Sequence, residues 1–236
     1  MFTTTGRVGA SQTGANGRMK LPSAIDAIQD CSTFWMESEP DFLHFLTAHR
    51  LGMFLLFRQA DLIRLPAYGE QYRVTTSIFQ CSSYFGYRNC VLYGADGSPC
   101  VKTWSIGGFV SFESGRLARL PKQEADKLRL DPKIDMEYLD RHIVLPEISF
   151  HPLPEFPVRR GDIDFNDHMN NVRYMEAALE LLPDGYPITG FRIEFKNSAK
   201  LGDILYPSLT ETEDAAYVLL SNREGTPYAV MEFLRK

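Results

Sequence analysis

The chain has 236 residues, 44% of them hydrophobic and 23% charged, which is the composition of a folded protein rather than a disordered one. Its formal net charge of −5 disfavours general binding to the phosphate backbone of nucleic acids, so no nucleic-acid partner is expected. The longest apolar stretch, residues 51–57, is far shorter than the roughly 20 residues that a membrane-spanning helix needs, and no membrane partner is expected. The N-terminal residues lack the continuous hydrophobic segment of a secretory signal, so we expect a cytoplasmic protein.

In the first half, the pattern predicts one long helix followed by antiparallel strands. The helix is expected over residues 23–39, with Ser23 and Asp26 as a capping box and one apolar face. A second helical pattern covers residues 41–54. From Gln71 the hydrophobic period changes to two, which is typical of a half-buried strand. Further strands are expected at residues 89–93, 100–106 and 109–112, separated by a turn at 94–97 and a bulge at Gly107-Gly108.

The second half repeats this order after a connector. Residues 121–157 are charged and interrupted by proline, which indicates a connector with one short helix. A helix is then expected from Asn171 to the Pro183-Asp184-Gly185 stop, with one apolar face that reaches Leu182. The strands that follow are expected at residues 191–195, 216–221 and 227–233.

Two short segments of similar sequence, one in each half, support an internal repeat. Residues 66–70, Pro-Ala-Tyr-Gly-Glu, resemble residues 199–203, Ala-Lys-Leu-Gly-Asp, and each precedes a strand. We interpret the chain as two similar α+β halves, each a helix wrapped by an antiparallel sheet. The predicted boundaries are 1–120 for the first half, 121–157 for the connector and 158–236 for the second half.

Most residues that could carry chemistry are expected to have structural roles. The four cysteines show no CxxC spacing and lie in apolar or strand-like segments, so we expect buried free thiols and no metal site. No phosphate-binding glycine motif, nucleophile elbow or zinc helix is present. Surface or structural roles are expected for four of the five histidines: His44, His49, His142 and His151.

The exception is the segment from Gly161 to Tyr174. Asp164, Asn166 and His168 alternate with other residues, so on an extended or turning segment their side chains would face one way. They precede a helix whose first-turn amides could bind an anion or a developing oxyanion. The simpler alternative is that Asp and Asn serve here only as turn and cap residues.

The motif Asp164-x-Asn166-x-His168-x-Asn170-Asn171-x-x-Tyr174 resembles the active-site motif of the acyl-acyl carrier protein (acyl-ACP) thioesterases. That resemblance implies a double hotdog fold, in which the first half binds the acyl chain and the second half catalyses hydrolysis without a cofactor. It implies that Asn166 and His168 bind and polarise the thioester and the attacking water, while Asp164 orients them. The residues expected to contact substrate are Asn170, Asn171, Tyr174 and Ser198.

The chain departs from the family pattern on the strand after this helix. The family supplies a Glu there, often followed by Cys, whereas Ser198 and Ala199 occupy those places here. Serine cannot replace a carboxylate as a base at neutral pH. His168 could then be the base, Glu176 or Glu180 could substitute for the missing carboxylate, or the enzyme could be slow or inactive. We favour His168, and Glu194, which lies off the expected strand position, is a weaker candidate.

The resemblance implies hydrolysis of acyl-ACP thioesters to free fatty acids in fatty acid biosynthesis, with the acyl carrier protein as partner. An acyl-CoA thioesterase and a non-catalytic acyl-binding hotdog protein are the alternatives. Carrier protein is acidic, so a basic patch is expected at Arg159, Arg160, Lys196 and Lys200. Both a monomer and a homodimer are compatible with two fused hotdogs.

Overall fold

The computed structural model describes residues 1–235, which divide into two compact units. The first unit comprises Met1–Leu56 and Ala60–Tyr138, and the second comprises Phe57–Gln59 and the residues from Leu139 onward. Each unit contains an antiparallel sheet with a helix packed on it, as the repeat in the sequence predicts. No helix within residues 1–235 is long and apolar enough to cross a membrane.

The first unit holds five strands in the order β1-β3-β4-β5-β2. The strands are β1 (Phe2–Arg7), β2 (Leu51–Leu62, of which residues 57–59 group with the second unit), β3 (Gln71–Cys81), β4 (Phe85–Tyr93) and β5 (Pro99–Ser111). The helices are α1 (Leu21–Phe34), α2 (Pro40–Ala48) and the short α3 (Lys122–Ala125), with 3₁₀ turns at Ala10–Gln12 and Trp35–Ser38.

Helix α1 begins two residues before the predicted start. Pro22 lies in the first turn, where its missing N–H costs nothing, and Lys20 is the N-cap residue. The predicted capping box at Ser23 is therefore wrong, because Ser23 already lies inside the helix. The apolar face is as predicted, since Ile25, Ile28 and Cys31 are buried on the side where α1 packs against β3.

Two other predictions for this unit are wrong. The helical pattern over residues 41–54 ends at Ala48, because Arg50 adopts a left-handed conformation (φ 52°) and β2 begins at Leu51. Gly107 and Gly108 do not end a strand, and β5 runs through them without a break. A Cβ at Gly107 would lie 2.9 Å from Met53 Cγ, so the glycine gives room to that side chain.

The connector covers a sheet face in both units. In the first unit the Tyr138 ring packs against Phe79 and Trp104, and its hydroxyl donates to Asn89 Oδ1 at 2.8 Å. This cover explains why β3 is buried on both faces from Val74 to Ile78 and does not alternate. In the second unit the connector residue Ile143 donates its N–H to Glu194, a contact described below.

The second unit orders its strands β8-β11-β10-β9-β6, with β7 also paired to β9. The strands are β6 (His151–Pro152), β7 (Phe156–Pro157), β8 (Gly190–Phe195), β9 (Ile204–Glu211), β10 (Ala215–Ser221) and β11 (Pro227–Leu234). Helix α4 (Asn171–Leu179) buries Val172, Met175 and Ala178 and ends three residues before Leu182. The four cysteines are free thiols, three of them buried and Cys81 half-buried.

Candidate active site

The predicted catalytic residues lie in one tight turn of the second unit. Ile163 and Met169 form a β-bridge, and between them the Asp164 N–H donates to the His168 carbonyl at 2.9 Å. The Asp167 N–H donates to the Asp164 carbonyl at 3.1 Å, and Asp167 adopts a left-handed conformation with φ 57°. Asp and Asn tolerate this conformation better than other non-glycine residues. The chain thus reverses direction between Asp164 and His168, so a turn rather than an extended segment brings these residues together.

The carboxylate of Asp164 acts within this turn. Its Oδ1 accepts the N–H of Asn166 at 2.8 Å, which is an Asx-turn contact. All three motif residues, Asp164, Asn166 and His168, are half-buried, whereas Phe165 at the tip is 88% exposed. Asp164 therefore orients the backbone that carries Asn166.

The 3₁₀ turn at Arg160–Asp162 is hydrogen-bonded to the start of α4 and so holds the two ends of the 164–168 turn together. Asp162 Oδ2 accepts the Arg159 N–H at 2.7 Å, and the Asp162 carbonyl accepts the Asn170 N–H at 2.8 Å. Asn170 is the N-cap of α4, and its Oδ1 accepts the Val172 N–H at 2.8 Å. The amides of Asn170 and Val172 are thus already used, so these two are not the open oxyanion donors that the sequence suggested.

Tyr174 and Ala199 connect α4 to the segment after β8. Tyr174 is 2% exposed, and its hydroxyl accepts the Ala199 N–H at 2.8 Å. The Ala199 carbonyl in turn accepts the Met169 N–H at 2.8 Å. Burial raises the pKa of Tyr174 to about 12, so its hydroxyl stays protonated at neutral pH. Ser198, one residue before this contact, is exposed.

Glu180 is exposed, whereas the other two carboxylates considered as substitutes for the family Glu have partners within the chain. Glu194 is buried; its Oε1 accepts the Ile143 N–H at 2.6 Å and lies 3.3 Å from His142 Nδ1. Glu194 also pairs with Lys196, and Glu176 pairs with Arg173. The sequence did not indicate that Glu194 holds the connector, because Ile143 is 51 residues away along the chain.

The first unit contains a second copy of the same backbone arrangement, shifted by 150 residues. The Gly14 N–H donates to the Arg18 carbonyl at 2.8 Å, as the Asp164 N–H donates to the His168 carbonyl. Gly17 has φ 72° and corresponds to Asp167, which is also left-handed. The echo in the sequence is confirmed as well, because Met19 donates to Pro66 as Met169 donates to Ala199, both at 2.8 Å. In this copy Asn16 matches Asn166, but no acid matches Asp164 and no histidine matches His168.

Within residues 1–235, no group of three or more His, Cys, Asp or Glu side chains is placed to hold a metal ion. The basic residues expected at the carrier surface, Arg159, Arg160, Lys196 and Lys200, are all exposed.

Comparisons with known proteins agree with the motif. The family model of the acyl-ACP thioesterase N-terminal domain matches residues 1–128, and that of the C-terminal domain matches residues 149–226. A sequence search of curated proteins found no match. Among solved structures, an acyl-ACP thioesterase from Bacteroides thetaiotaomicron superposes with a TM-score of 0.87 at 19% identity, covering 98% of this chain and 96% of that one. The 12:0-ACP thioesterase from Umbellularia californica gives 0.85 at 15% identity, covering 99% and 96%.

The structural matches confirm the α+β, double hotdog fold, and the family models cover both halves. The chain belongs to the acyl-ACP thioesterase family, whose members hydrolyse acyl thioesters.

Proposed function

We propose that this chain releases fatty acids from acyl-ACP with the turn at residues 164–168 as its active site. The observation that carries the proposal is the turn itself. Asp164, Asn166 and His168 lie together in a segment fastened at one end to α4 and at the other to the 3₁₀ turn. The equivalent turn of the first unit keeps the backbone geometry and lacks the acid and the histidine.

The proposed mechanism needs two functions from this turn. His168 accepts a proton from water as the water attacks the thioester carbonyl, and it then returns the proton to the departing thiolate. The Asn166 side-chain amide donates a hydrogen bond to the carbonyl oxygen, on which negative charge develops. Asp164 acts through the backbone, because its bond to the Asn166 N–H sets the position from which that side chain extends.

The division of labour between the halves is part of the proposal. The first half, residues 1–120, binds the acyl chain, and the second half, residues 158–236, hydrolyses the thioester. Residues Asn170 and Tyr174 support the turn through backbone contacts, while Asn171 and Ser198 contact the substrate. The carrier protein is the partner that presents the thioester.

A second candidate function, acyl binding without turnover, is favoured by Ser198 and Ala199. Neither side chain can replace the carboxylate that the family places there. The two candidates make different predictions, because a binding protein retains an acyl ligand and releases no thiol.

The test is thiol release from acyl-ACP and acyl-CoA substrates of several chain lengths, using the wild type, Asn166→Ala and Asn16→Ala. Asn16 offers a matched control, since it occupies the same place in the first-unit turn. We expect turnover of acyl-ACP that Asn166→Ala lowers by about a hundredfold and Asn16→Ala leaves unchanged. Equal activity of the two variants contradicts the proposed site. Bound acyl ligand without thiol release from any substrate favours the binding protein.

A further inference from the structure

The first-unit turn carries positive charge where the catalytic turn carries acids. Arg18 occupies the position of His168, and Lys20 occupies that of the Asn170 cap. The acids of the catalytic copy are replaced by uncharged residues in the first copy: Gln12 for Asp162, Gly14 for Asp164 and Gly17 for Asp167. Arg7, at the end of β1, adds a third exposed cation, and we call Arg7, Arg18 and Lys20 the basic face.

The cations of the basic face are held by backbone carbonyls. Arg18 Nη1 donates to the Leu65 carbonyl at 3.3 Å, Arg7 Nε to the Gly69 carbonyl at 2.8 Å, and Lys20 Nζ to the Ser11 carbonyl at 3.2 Å. None of the three pairs with a carboxylate within residues 1–235. The one carboxylate in the adjoining turn, Glu70, is already paired with Arg64. Each cation therefore keeps its charge and further N–H donors for a partner.

The backbone that carries Arg18 is hydrogen-bonded to the adjoining turn at residues 66–70. Arg18 and Ala67 form a β-bridge, and the Tyr68 N–H donates to the Gly17 carbonyl at 2.9 Å. The Glu70 carboxylate accepts the Ala67 N–H at 2.8 Å, which closes the adjoining turn. The cations therefore project from connected backbone rather than from a loose loop, and the ring of Tyr68 beside them is 64% exposed.

The catalytic copy is a poorer surface for an acidic partner. Its exposed cations Arg159, Arg160 and Lys200 share their segments with four carboxylates, those of Asp162, Asp164, Asp167 and Asp203. Carboxylates close to these cations offset part of their positive potential, so an acidic partner meets a weaker attraction there. Because the whole chain carries −5, attraction for an acidic partner requires a local excess of positive charge.

We propose that the basic face docks the acidic surface of the carrier protein. This inference rests on the proposed function, since it names the surface that receives the carrier. The three cations come from separate segments, the end of β1, the turn and the N-cap of α1, which suits several carboxylates spread over a surface better than a single phosphate. The surface at Arg159, Arg160, Lys196 and Lys200 is then secondary.

The test compares the double variant Arg18→Glu/Lys20→Glu with Arg160→Glu and with Arg223→Glu, a charge reversal in the exposed β10–β11 turn. Each is assayed with acyl-ACP, with acyl-CoA and with acyl-pantetheine, which carries neither protein nor phosphate. For the double variant we expect the KM for acyl-ACP to rise about tenfold at low salt with kcat unchanged, and the salt dependence of that KM to weaken. The Arg223→Glu values should match the wild type, and equal thermal midpoints show that the variants fold.

An unchanged KM for acyl-ACP, or a larger effect from Arg160→Glu, overturns the docking surface. An equal rise in the KM for acyl-CoA assigns the basic face to phosphate binding and also overturns it. Calorimetric titration of the wild type and the double variant with the carrier protein gives the affinity without turnover. If no substrate releases thiol, the proposed function fails, while the titration still decides whether the basic face binds the carrier.

Discussion

Tyr174 illustrates how a motif residue can act through the backbone. Its hydroxyl accepts the Ala199 N–H, and the Ala199 carbonyl accepts the N–H of Met169, the residue that follows the turn at residues 164–168. The hydroxyl is buried and its pKa is raised to about 12, so it remains a neutral acceptor throughout the range in which a thioesterase would be assayed.

Tyr174→Phe should therefore lower both stability and kcat. The substitution keeps the ring and leaves the buried Ala199 N–H without its acceptor, which costs about 1–3 kcal/mol in unfolding free energy. The turn then loses its link to the segment after β8. Urea unfolding and steady-state kinetics measure the two effects. Tyr186→Phe is the control, because it removes a hydroxyl bound to the Phe233 carbonyl at 3.0 Å and should leave kcat unchanged.

Ser198→Glu should raise kcat if water activation limits turnover. Ser198 is exposed, so the longer side chain fits without displacing core residues, and it returns a carboxylate to the place where the family has one. A carboxylate stays ionised at lower pH than imidazole, so the acid limb of the pH-rate profile should move to lower pH. Asn197→Glu, one exposed residue earlier, is the matched control. A profile identical to the wild type counts against a role for this position in activating water.

The candidate site was only partly predictable from residues. The Asp, Asn and His spacing predicted a turn and a helix start, because Asp and Asn have strong local preferences there. The contact of Tyr174 with Ala199 joins residues 25 apart, and that of Glu194 with Ile143 joins residues 51 apart. Local pattern carries no signal for such pairs, which depend on how the connector and the strands pack.

At the scale of elements, the two main helices begin in different ways. Asn170 caps α4 with a bond from the Val172 N–H, whereas Lys20 at the start of α1 makes no side-chain cap bond. Asn170→Ala should cost about 1 kcal/mol of unfolding free energy, and Lys20→Ala should cost close to nothing. Urea unfolding of both variants checks this, and equal losses contradict the assigned cap. Asn170→Ala should also lower kcat, because the proposed active-site turn at residues 164–168 leads directly into this cap.

The turn from Arg64 to Glu70 should make the first unit sensitive to acid. The Arg64 guanidinium bonded to Glu70 lowers the pKa of that carboxyl from 4.5 to about 2. Since the folded pKa lies below the unfolded one, the pair stabilises the fold above pH 4.5, and this stabilisation is lost as pH falls towards 2. Glu70→Gln should be less stable at pH 7 and lose less stability between pH 5 and pH 3. Exposed Glu113→Gln, measured by the same urea unfolding, should follow the wild type.

Strands could be predicted from the sequence where one face of the strand is exposed to solvent, because the hydrophobic residues then alternate. The β10–β11 hairpin and the β4–β5 turn follow the predicted alternation and turn residues. The predicted helical pattern extends into the first four residues of β2, residues 51–54, because the apolar residues there run without alternation, as they do in strands buried on both faces. Strand β1, which pairs with β3, went unpredicted because it follows directly on the N-terminus with mostly polar residues.

At the scale of the whole molecule, one backbone arrangement occurs twice, and we propose a different role for each copy. Both units fold the same turn before the main helix, and the hydrogen bonds that close it match at a shift of 150 residues. Only the second copy has Asp164 and His168, and only the first has Arg18 and Lys20. The repeat was visible in the sequence as a short echo, while the equivalence of Arg18 with His168 required the turn geometry.

The most direct test of catalysis by the second-unit turn is kcat with acyl-ACP for the wild type and His168→Ala. Loss of the proposed base should lower kcat by a factor of about a hundred to ten thousand. The KM should change little, because in the proposed function His168 acts on the attacking water and other residues bind the carrier and the acyl chain. A His168→Ala enzyme with wild-type kcat would contradict the assignment of this turn as the active site.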